Sequence, residues 1–210
     1  LIYCSVTGFG QTGPRRDQPA YDFLIQAMGG LMSVTGEKDG KPGGGPQKVG
    51  IPIVDLMTGM YAAVAVLAAL ARRNETGQGE TIDIAMLDVQ VATLSNQAMN
   101  HLVSGKVPRR NGNAHPNIQP QDVYPCADGD VILVVGNDGQ FGKLCEVLGR
   151  PEWVADPRYA TNAQRVRHLA ELSGELRDLF AEWEREKLIA ALDVAGVPCG
   201  PINTVADVFK

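Results

Sequence analysis

The sequence has few features that would point to a metal, a disulfide or a nucleic acid. Its four cysteines form no CxxC pair, and no histidine lies at zinc-ligand spacing from any of them. We therefore expect reduced thiols, as in cytoplasmic proteins, and no metal site. The 24 acidic and 19 basic residues are interspersed rather than grouped, so the sequence indicates no broad surface for nucleic acid or for an anionic membrane.

Long apolar runs are also scarce. The longest, residues 61–71, is too short to cross a bilayer and ends at Arg72 and Arg73. No signal-peptide pattern opens the chain, so we expect a soluble protein without a membrane partner. Residues 1–6 already form a strand-like run without an initial Met, and residues 206–210 resemble a helix that has just begun. These two ends predict an internal fragment.

Helical and strand periodicities alternate in the first half of the chain. The order helix, strand, helix is typical of α/β layering. The longest helical segment is almost wholly apolar, and we expect it to be buried on most sides. The predicted elements are a strand over 1–6, a helix over 21–28, a glycine-rich loop over 36–46, the apolar helix over 55–73, a strand over 81–86 and a helix over 87–102.

A change of composition at residues 105–120 predicts a linker. This segment holds three Pro, two Gly and three Asn and has little apolar content. The pattern beyond it predicts a small α+β domain with a strand over 130–135 and helices over 140–148, 164–180 and 186–195.

Three glycines after the first strand match the dinucleotide-binding pattern GxGxxG: Gly8, Gly10 and Gly13. In that motif the last glycine opens a helix whose N-terminus binds the pyrophosphate. Here the chain continues with the segment PRRDQP over 14–19, which is not a helix start. A tight turn at the end of a strand is therefore the favoured interpretation.

Asp55 lies at the start of the apolar helix, after the segment GIPIV. The helix dipole would keep its carboxylate ionised, and apolar neighbours would leave it poorly hydrated, so it could attack an acyl carbonyl. Asp is also a common N-cap residue, which by itself accounts for this position. The local sequence leaves both interpretations open.

Other polar residues carry less information. Asp22 follows Tyr21 in an apolar setting, and His115 is a lone histidine in a loop. Arg109 and Arg110 could bind phosphate, although paired arginines are usually solvated. No GxSxG nucleophile motif occurs.

Several segments in a fixed order resemble the class III CoA-transferase family, also called CaiB/BaiF, to which formyl-CoA transferase belongs. The similarity spans almost the whole chain, and it is the ordered combination that is specific. The matching segments are SVTGFGQTGP over 5–14, YDF over 21–23 with Gly29 and Gly30, Asp55 with Thr58 and Gly59, TGQG over 76–79, DIAMLD over 83–88 and GVPCGP over 196–201.

The resemblance implies an α/β fold with a Rossmann-like large domain and a smaller α+β domain. It also implies an interlocked homodimer. Residues 1–105 would be the later part of the large domain, 106–121 a linker, 122–203 the small domain and 204–210 the start of a return to the large domain. Much of the CoA site would then lie outside this fragment.

The resemblance also implies a reaction. Asp55 matches the family's catalytic aspartate, which an acyl-CoA converts to a mixed anhydride and then to an aspartyl-CoA thioester. The implied activity moves CoA between an acyl-CoA and a small carboxylic acid, with CoA as substrate and no permanently bound cofactor. Pro19, Ala20, Tyr21 and Asp22 match a stretch that contacts CoA, and Asp22 also matches an acidic residue near the catalytic aspartate.

Two alternatives share this fold. The racemase branch of the family has His where this chain has Tyr21, and a two-base proton exchange would lack that base. The other alternative is a non-catalytic acyl-CoA-binding fragment. The segment NAHPN over 113–117 resembles members that handle dicarboxylates, which suggests succinyl-CoA as donor. Residues 136–140 resemble a loop of the small domain that faces the site, and we assign them no catalytic role.

Overall fold

The chain divides at Gly112, within the segment rich in Pro and Asn. The computed structural model describes residues 1–210, and these form a first unit, Leu1–Gly112, and a second unit, Asn113–Lys210. Residues 204–210 belong to the second unit here. The division into a large domain, a linker over 106–121 and a small domain over 122–203 stays a prediction.

A parallel strand pair organises the first unit. β1 (Ile2–Thr7) lies beside β2 (Glu80–Ala85) in the register Ile2 to Glu80 through Thr7 to Ala85. Parallel neighbours need a long crossover connection, and the long helix between these strands packs against both of them. The helices of this unit are α1 (Asp22–Met28), α2 (Leu31–Val34), α3 (Ile53–Thr76), α4 (Met86–Thr93) and α5 (Ser95–Ser104).

The apolar helix α3 is longer and less covered than the sequence predicted. It begins two residues before Asp55 and ends at Gly77, whose φ of 71° is a left-handed conformation that suits glycine. Only Val54, Thr58 and Ala69 are buried. The expectation of burial on most sides is therefore wrong for this chain, because β1, β2, α1 and α4 pack on part of its surface and leave the rest exposed.

By length and composition, α3 is also able to cross a membrane. The expectation from residues 61–71 alone, that the apolar run is too short, is wrong because the helix extends it on both sides. Core helices of soluble proteins have the same length and composition, so this feature by itself assigns no membrane location.

The second unit is a small antiparallel sheet covered by helices. Its strands β3 (Gln121–Cys126), β4 (Gly129–Val134) and β5 (Cys199–Pro201) lie in the order β3-β4-β5. One hydrophobic core fills the space between sheet and helices, and it includes the fully buried Tyr124, Leu133 and Phe180. The helices are α6 (Asp138–Val147), α7 (Asn162–Arg167), α8 (Leu169–Ala181), α9 (Arg185–Ala195) and α10 (Val205–Val208), with a 3₁₀ turn at Pro151–Val154.

Two segments predicted as single helices are broken. Residues 87–102 divide into α4 and α5 near Leu94, and the next residue, Ser95, has a φ of 49°. Residues 164–180 divide into α7 and α8 at His168, whose backbone is not helical. Strands β3 and β5 were not predicted from the sequence.

Candidate active site

Asp55 is the third residue of α3, and it does not cap the helix. The N-cap position is Pro52, which offers no side-chain acceptor. The Asp55 carboxylate makes no hydrogen bond or ion pair with the rest of the chain, and the residue is exposed. The expected shielding by apolar neighbours is therefore wrong within this chain, because the flanking residues Ile51, Pro52 and Leu56 are exposed as well.

The cap of α3 comes from Asp22, on a different helix. Its Oδ2 accepts hydrogen bonds from the backbone N–H of Val54 at 2.8 Å and of Asp55 at 3.4 Å. A side-chain oxygen that binds the second and third amides of a helix is the usual N-cap interaction. Here the acceptor lies 32 residues before the first of these amides in the sequence.

Gln26 holds the Asp22 carboxylate in place. It lies one helical turn after Asp22 on α1, is fully buried, and donates from Nε2 to Asp22 Oδ1 at 2.5 Å. Its own Oε1 accepts from the backbone N–H of Val49 at 2.9 Å. The two side chains thus join α1, the segment before α3 and the first turn of α3.

The stretch expected to contact CoA lies beside this helix start. Asp22 contacts α3 directly, while Pro19 and Tyr21 are exposed and Ala20 is half-buried. Ala20 packs against Gly8, where a Cβ atom would lie 2.2 Å from the Ala20 Cβ. The absence of a side chain at Gly8 therefore allows the two loops to meet. The structure brings Asp55 and Asp22 together; contact with CoA stays a prediction.

The GxGxxG segment forms a turn rather than a nucleotide-binding helix start. The backbone N–H of Gly10 donates to Thr7 Oγ1 at 2.8 Å, and that of Gln11 donates to Asp83 Oδ2 at 2.8 Å. Gly10 has a φ of 83°, and the next helix after Gly13 begins only at Asp22. This geometry agrees with the interpretation of a tight turn at the end of β1.

Of the remaining candidate side chains, His115 and Arg110 make structural contacts, whereas Arg109 is exposed. His115 Nδ1 accepts from the backbone N–H of Asn117 and Ile118, each at 3.1 Å, which fixes the turn before β3. Arg110 forms an ion pair with Asp39 across the glycine-rich loop, so its guanidinium is already engaged. The structure has no group of three or more His, Cys, Asp or Glu side chains placed to hold a metal ion.

Residues 136–140 form the N-terminus of α6 in the second unit. Asn137 Oδ1 caps the helix by accepting from the N–H of Gln140 at 2.9 Å, and Gln140 Oε1 accepts from the N–H of Gly136 at 2.7 Å. Asp138 Oδ1 accepts from Arg165 Nη2 at 2.6 Å. The loop is thus held in one conformation by its own side chains and by α7.

Sequence reasoning missed Arg165, which is fully buried. Its guanidinium donates to the carbonyls of Gln119 at 2.8 Å and Tyr159 at 2.9 Å, and it lies 4.4 Å from the centre of the Phe141 ring. A signal was present, because Arg165 precedes Leu169, Leu172 and Leu176 at helical spacing and so falls on the apolar stripe.

Comparison with known proteins gives a consistent match. The family model described as CoA-transferase family III matches residues 1–210. The chain is 49% identical over 209 residues to a succinate–glutarate CoA-transferase of Agrobacterium fabrum and 41% identical over 210 residues to a succinyl-CoA:glutarate CoA-transferase of Mus musculus. Each of these matches covers 100% of this chain, but only 51% of the Agrobacterium protein and 47% of the mouse protein.

Two further matches extend this picture. A succinyl-CoA:mesaconate CoA-transferase of Haloarcula hispanica is 38% identical over 213 residues, with 100% of this chain and 52% of that protein covered. The crystal structure of a CaiB/BaiF family protein from Brucella suis superposes with a TM-score of 0.80 at 51% identity, covering 100% of this chain and 54% of that one. The chain thus spans about half the length of the relatives it matches.

Proposed function

Because the chain belongs to CoA-transferase family III, we propose that the full-length protein moves CoA from an acyl-CoA thioester to a free carboxylic acid. The match confirms the family resemblance inferred from the sequence and the α/β fold. The observation that carries the proposal is the unpaired carboxylate of Asp55 beside the capped start of α3. A carboxylate is needed because its anhydride and thioester keep the energy of the acyl-CoA bond available for transfer.

In the proposed reaction, an oxygen of the Asp55 carboxylate attacks the thioester carbonyl. The C–S bond breaks, CoA leaves as a thiolate, and an anhydride forms between Asp55 and the acyl group. The thiolate then attacks the Asp55 carbonyl, which releases the donor acid and gives an aspartyl-CoA thioester. The acceptor carboxylate displaces CoA from this thioester, and the thiolate finally attacks the acceptor's acyl carbonyl, which frees the Asp55 carboxylate.

The start of α3 stabilises negative charge but has no free amide for the substrate. The N–H groups of Val54 and Asp55 donate to Asp22, and those of Ile53 and Leu56 donate to the carbonyls of Ile51 and Pro52. The helix dipole still favours an anionic carboxylate at this end. The donors that stabilise the thioester oxyanion therefore belong to other groups of the full-length protein.

We propose succinyl-CoA as donor and a short dicarboxylic acid, such as glutarate, as acceptor. The names of three similar proteins pair succinate or succinyl-CoA with glutarate or mesaconate, which supports this choice. Pro19, Ala20 and Tyr21 are proposed to lie along the CoA, and Asp22 lies next to Asp55 at the start of α3. An interlocked homodimer in the cytoplasm, without membrane or nucleic-acid partners, completes the proposal.

Substitution of Asp55 tests the proposed nucleophile. We expect Asp55→Asn in the full-length protein to lower the rate of CoA transfer from succinyl-CoA by roughly 10³-fold or more, since an amide forms no anhydride. Mass spectrometry after a hydroxylamine quench should find a hydroxamate at Asp55 in the wild type only. Asp88→Asn is the matched control, because Asp88 is an exposed acidic residue in the first turn of α4. Full transfer activity in Asp55→Asn would contradict the assignment.

Two further measurements on the full-length wild-type protein distinguish a CoA transferase from the racemase and from the non-catalytic acyl-CoA-binding protein. A racemase would exchange the α-proton of a 2-methylacyl-CoA in deuterated water without an acceptor acid. Tyr21, which replaces the racemase histidine, is highly exposed on the loop before α1, and we expect no such exchange. An acyl-CoA-binding protein without catalysis would bind succinyl-CoA and give no adduct on Asp55.

A further inference from the structure

Helix α3 begins without any capping group of its own. Pro52 has no side-chain acceptor, and the next two residues, Ile53 and Val54, are apolar. Asp55 is the first polar residue, and an acidic residue at this third position often folds back onto the N–H of the N-cap residue. That interaction is impossible here because proline has no N–H.

Asp22 fills this role from outside the helix. One oxygen, Oδ2, accepts both free amides, and the other oxygen is held by the buried Gln26. The carboxylate thus receives three donors, of which two belong to α3 and one to α1. The half-buried Asp22 is fixed in position, whereas the exposed Asp55 carboxylate is left without a partner.

We propose that Asp22 is a positioning residue for the reaction of Asp55. It binds the backbone N–H of Asp55 itself and occupies the amides that an aspartate side chain would otherwise bind. The Asp55 carboxylate is thereby kept off the helix end and available for attack. This inference rests on the proposed function, in which Asp55 is the nucleophile.

The role differs from the CoA contact that the sequence suggested for Asp22. Both oxygens already accept hydrogen bonds within the chain, which leaves the carboxylate little capacity to bind a substrate donor. A binding residue changes mainly KM when it is removed, whereas a residue that orients the nucleophile changes mainly the rate of acylation. The two roles are therefore separable by kinetics.

Three variants separate geometry from charge. Asp22→Ala removes the acceptor. Asp22→Asn keeps an oxygen for the two amides of α3 but turns an NH₂ group toward Gln26 Nε2, so that two donors meet. The double variant Asp22→Asn with Gln26→Glu exchanges carboxylate and amide between the two positions. Its new carboxylate accepts from the new amide and from the N–H of Val49, which restores every hydrogen bond.

The decisive measurement is the single-turnover rate of acylation of Asp55 by succinyl-CoA in the full-length protein, with steady-state KM and thermal unfolding measured in parallel. We expect Asp22→Ala to slow acylation by about 10²-fold, a loss typical of a misplaced reacting group. KM for succinyl-CoA should change by less than about threefold. The double variant should be acylated at least about tenfold faster than Asp22→Ala. Asp88→Asn should be acylated at the wild-type rate.

Three results would overturn the inference. The first is acylation at the wild-type rate in Asp22→Ala, and the second is a raised KM with unchanged acylation, which would make Asp22 a CoA-binding residue. The third is a folded double variant as slow as Asp22→Ala, which would assign the effect to charge at position 22. If Asp22→Ala does not fold, the comparison of Asp22→Asn with the double variant still decides the question. A wild type that forms no adduct would instead disprove the proposed function.

Discussion

Asp55 and Asp22 carry the same functional group in opposite hydrogen-bond surroundings. The Asp22 carboxylate accepts from two amides of α3 and from Gln26, while the Asp55 carboxylate has no partner. A carboxylate that accepts several N–H donors has its lone pairs engaged and is a poor nucleophile, whereas an unpaired carboxylate keeps its lone pairs free. The structure thus gives the helix-capping task to Asp22 and leaves the Asp55 carboxylate free for the proposed reaction.

The cysteines of the second unit provide a test at single residues. Burial raises the pKa of the Cys145 thiol to about 12 and that of Cys199 to about 11, and it also raises the pKa of Cys126. At pH 8 only about one in 10⁴ Cys145 side chains would be thiolate, against about a quarter of ordinary cysteines. We expect iodoacetamide at pH 8 to leave Cys145 unmodified in the native protein.

Peptide mass spectrometry checks this expectation, with alkylation in urea as the control that all three thiols can react. As the pH rises toward 11, modification of Cys199 should increase before that of Cys145. Complete alkylation of Cys145 in the folded protein at pH 8 would show that its burial is not maintained in solution.

At the scale of secondary structure, Arg165 joins three elements of the second unit. It links the turn before β3 through the Gln119 carbonyl, the loop before α7 through the Tyr159 carbonyl, and the start of α6 through Asp138. A planar guanidinium offers five N–H donors in a fixed arrangement, which suits three acceptors in different directions. Lysine offers one ammonium group and reaches fewer of them.

We expect Arg165→Met to lower the free energy of unfolding of the second unit by about 2–5 kcal/mol, because two buried carbonyls would lose their donors. Urea unfolding of the 210-residue chain followed by tryptophan fluorescence measures this, since Trp153 and Trp183 are the only tryptophans of these 210 residues and both lie in the second unit. Arg177→Met is the matched control. Arg177 is half-exposed, and its ion pair with Asp122 at 3.6 Å is expected to contribute less than about 1 kcal/mol. Equal losses in the two variants would contradict the assigned role.

The elements that the sequence predicted are those with strong periodicity, such as α3 and β1. Strands β3 and β5 were missed because Pro125 and Pro201 argue against a strand. The strand order explains how they are tolerated: both strands lie at edges of the sheet, where a missing N–H leaves no neighbour unpaired. The position of Asp55 at a helix start was visible in the sequence. The residue that caps α3 was not visible, because Asp22 reaches the start of α3 only through the packing of α1 against α3.

The two units bury their apolar residues to different extents. The hydrophobic core with fully buried residues lies in the second unit, whereas most of the exposed large hydrophobic side chains belong to the first. They include Leu56, Met60, Val64 and Leu67 on α3. Exposed apolar patches of this kind mark surfaces that contact another protein segment or a membrane, so the length and composition of α3 raise the question of a membrane span.

The packing of α3 argues against such a span. A helix of 24 residues is about 36 Å long and would place β1 and β2, which pack along it, inside the hydrocarbon layer. Lipid offers no hydrogen bonds to the backbone at the edges of an open sheet, and open sheets therefore do not occur there. We expect the full-length protein, expressed in cells lysed without detergent, to stay in the supernatant after ultracentrifugation. Recovery in a membrane pellet that resists carbonate extraction would show instead that α3 leaves its strands and inserts into the bilayer.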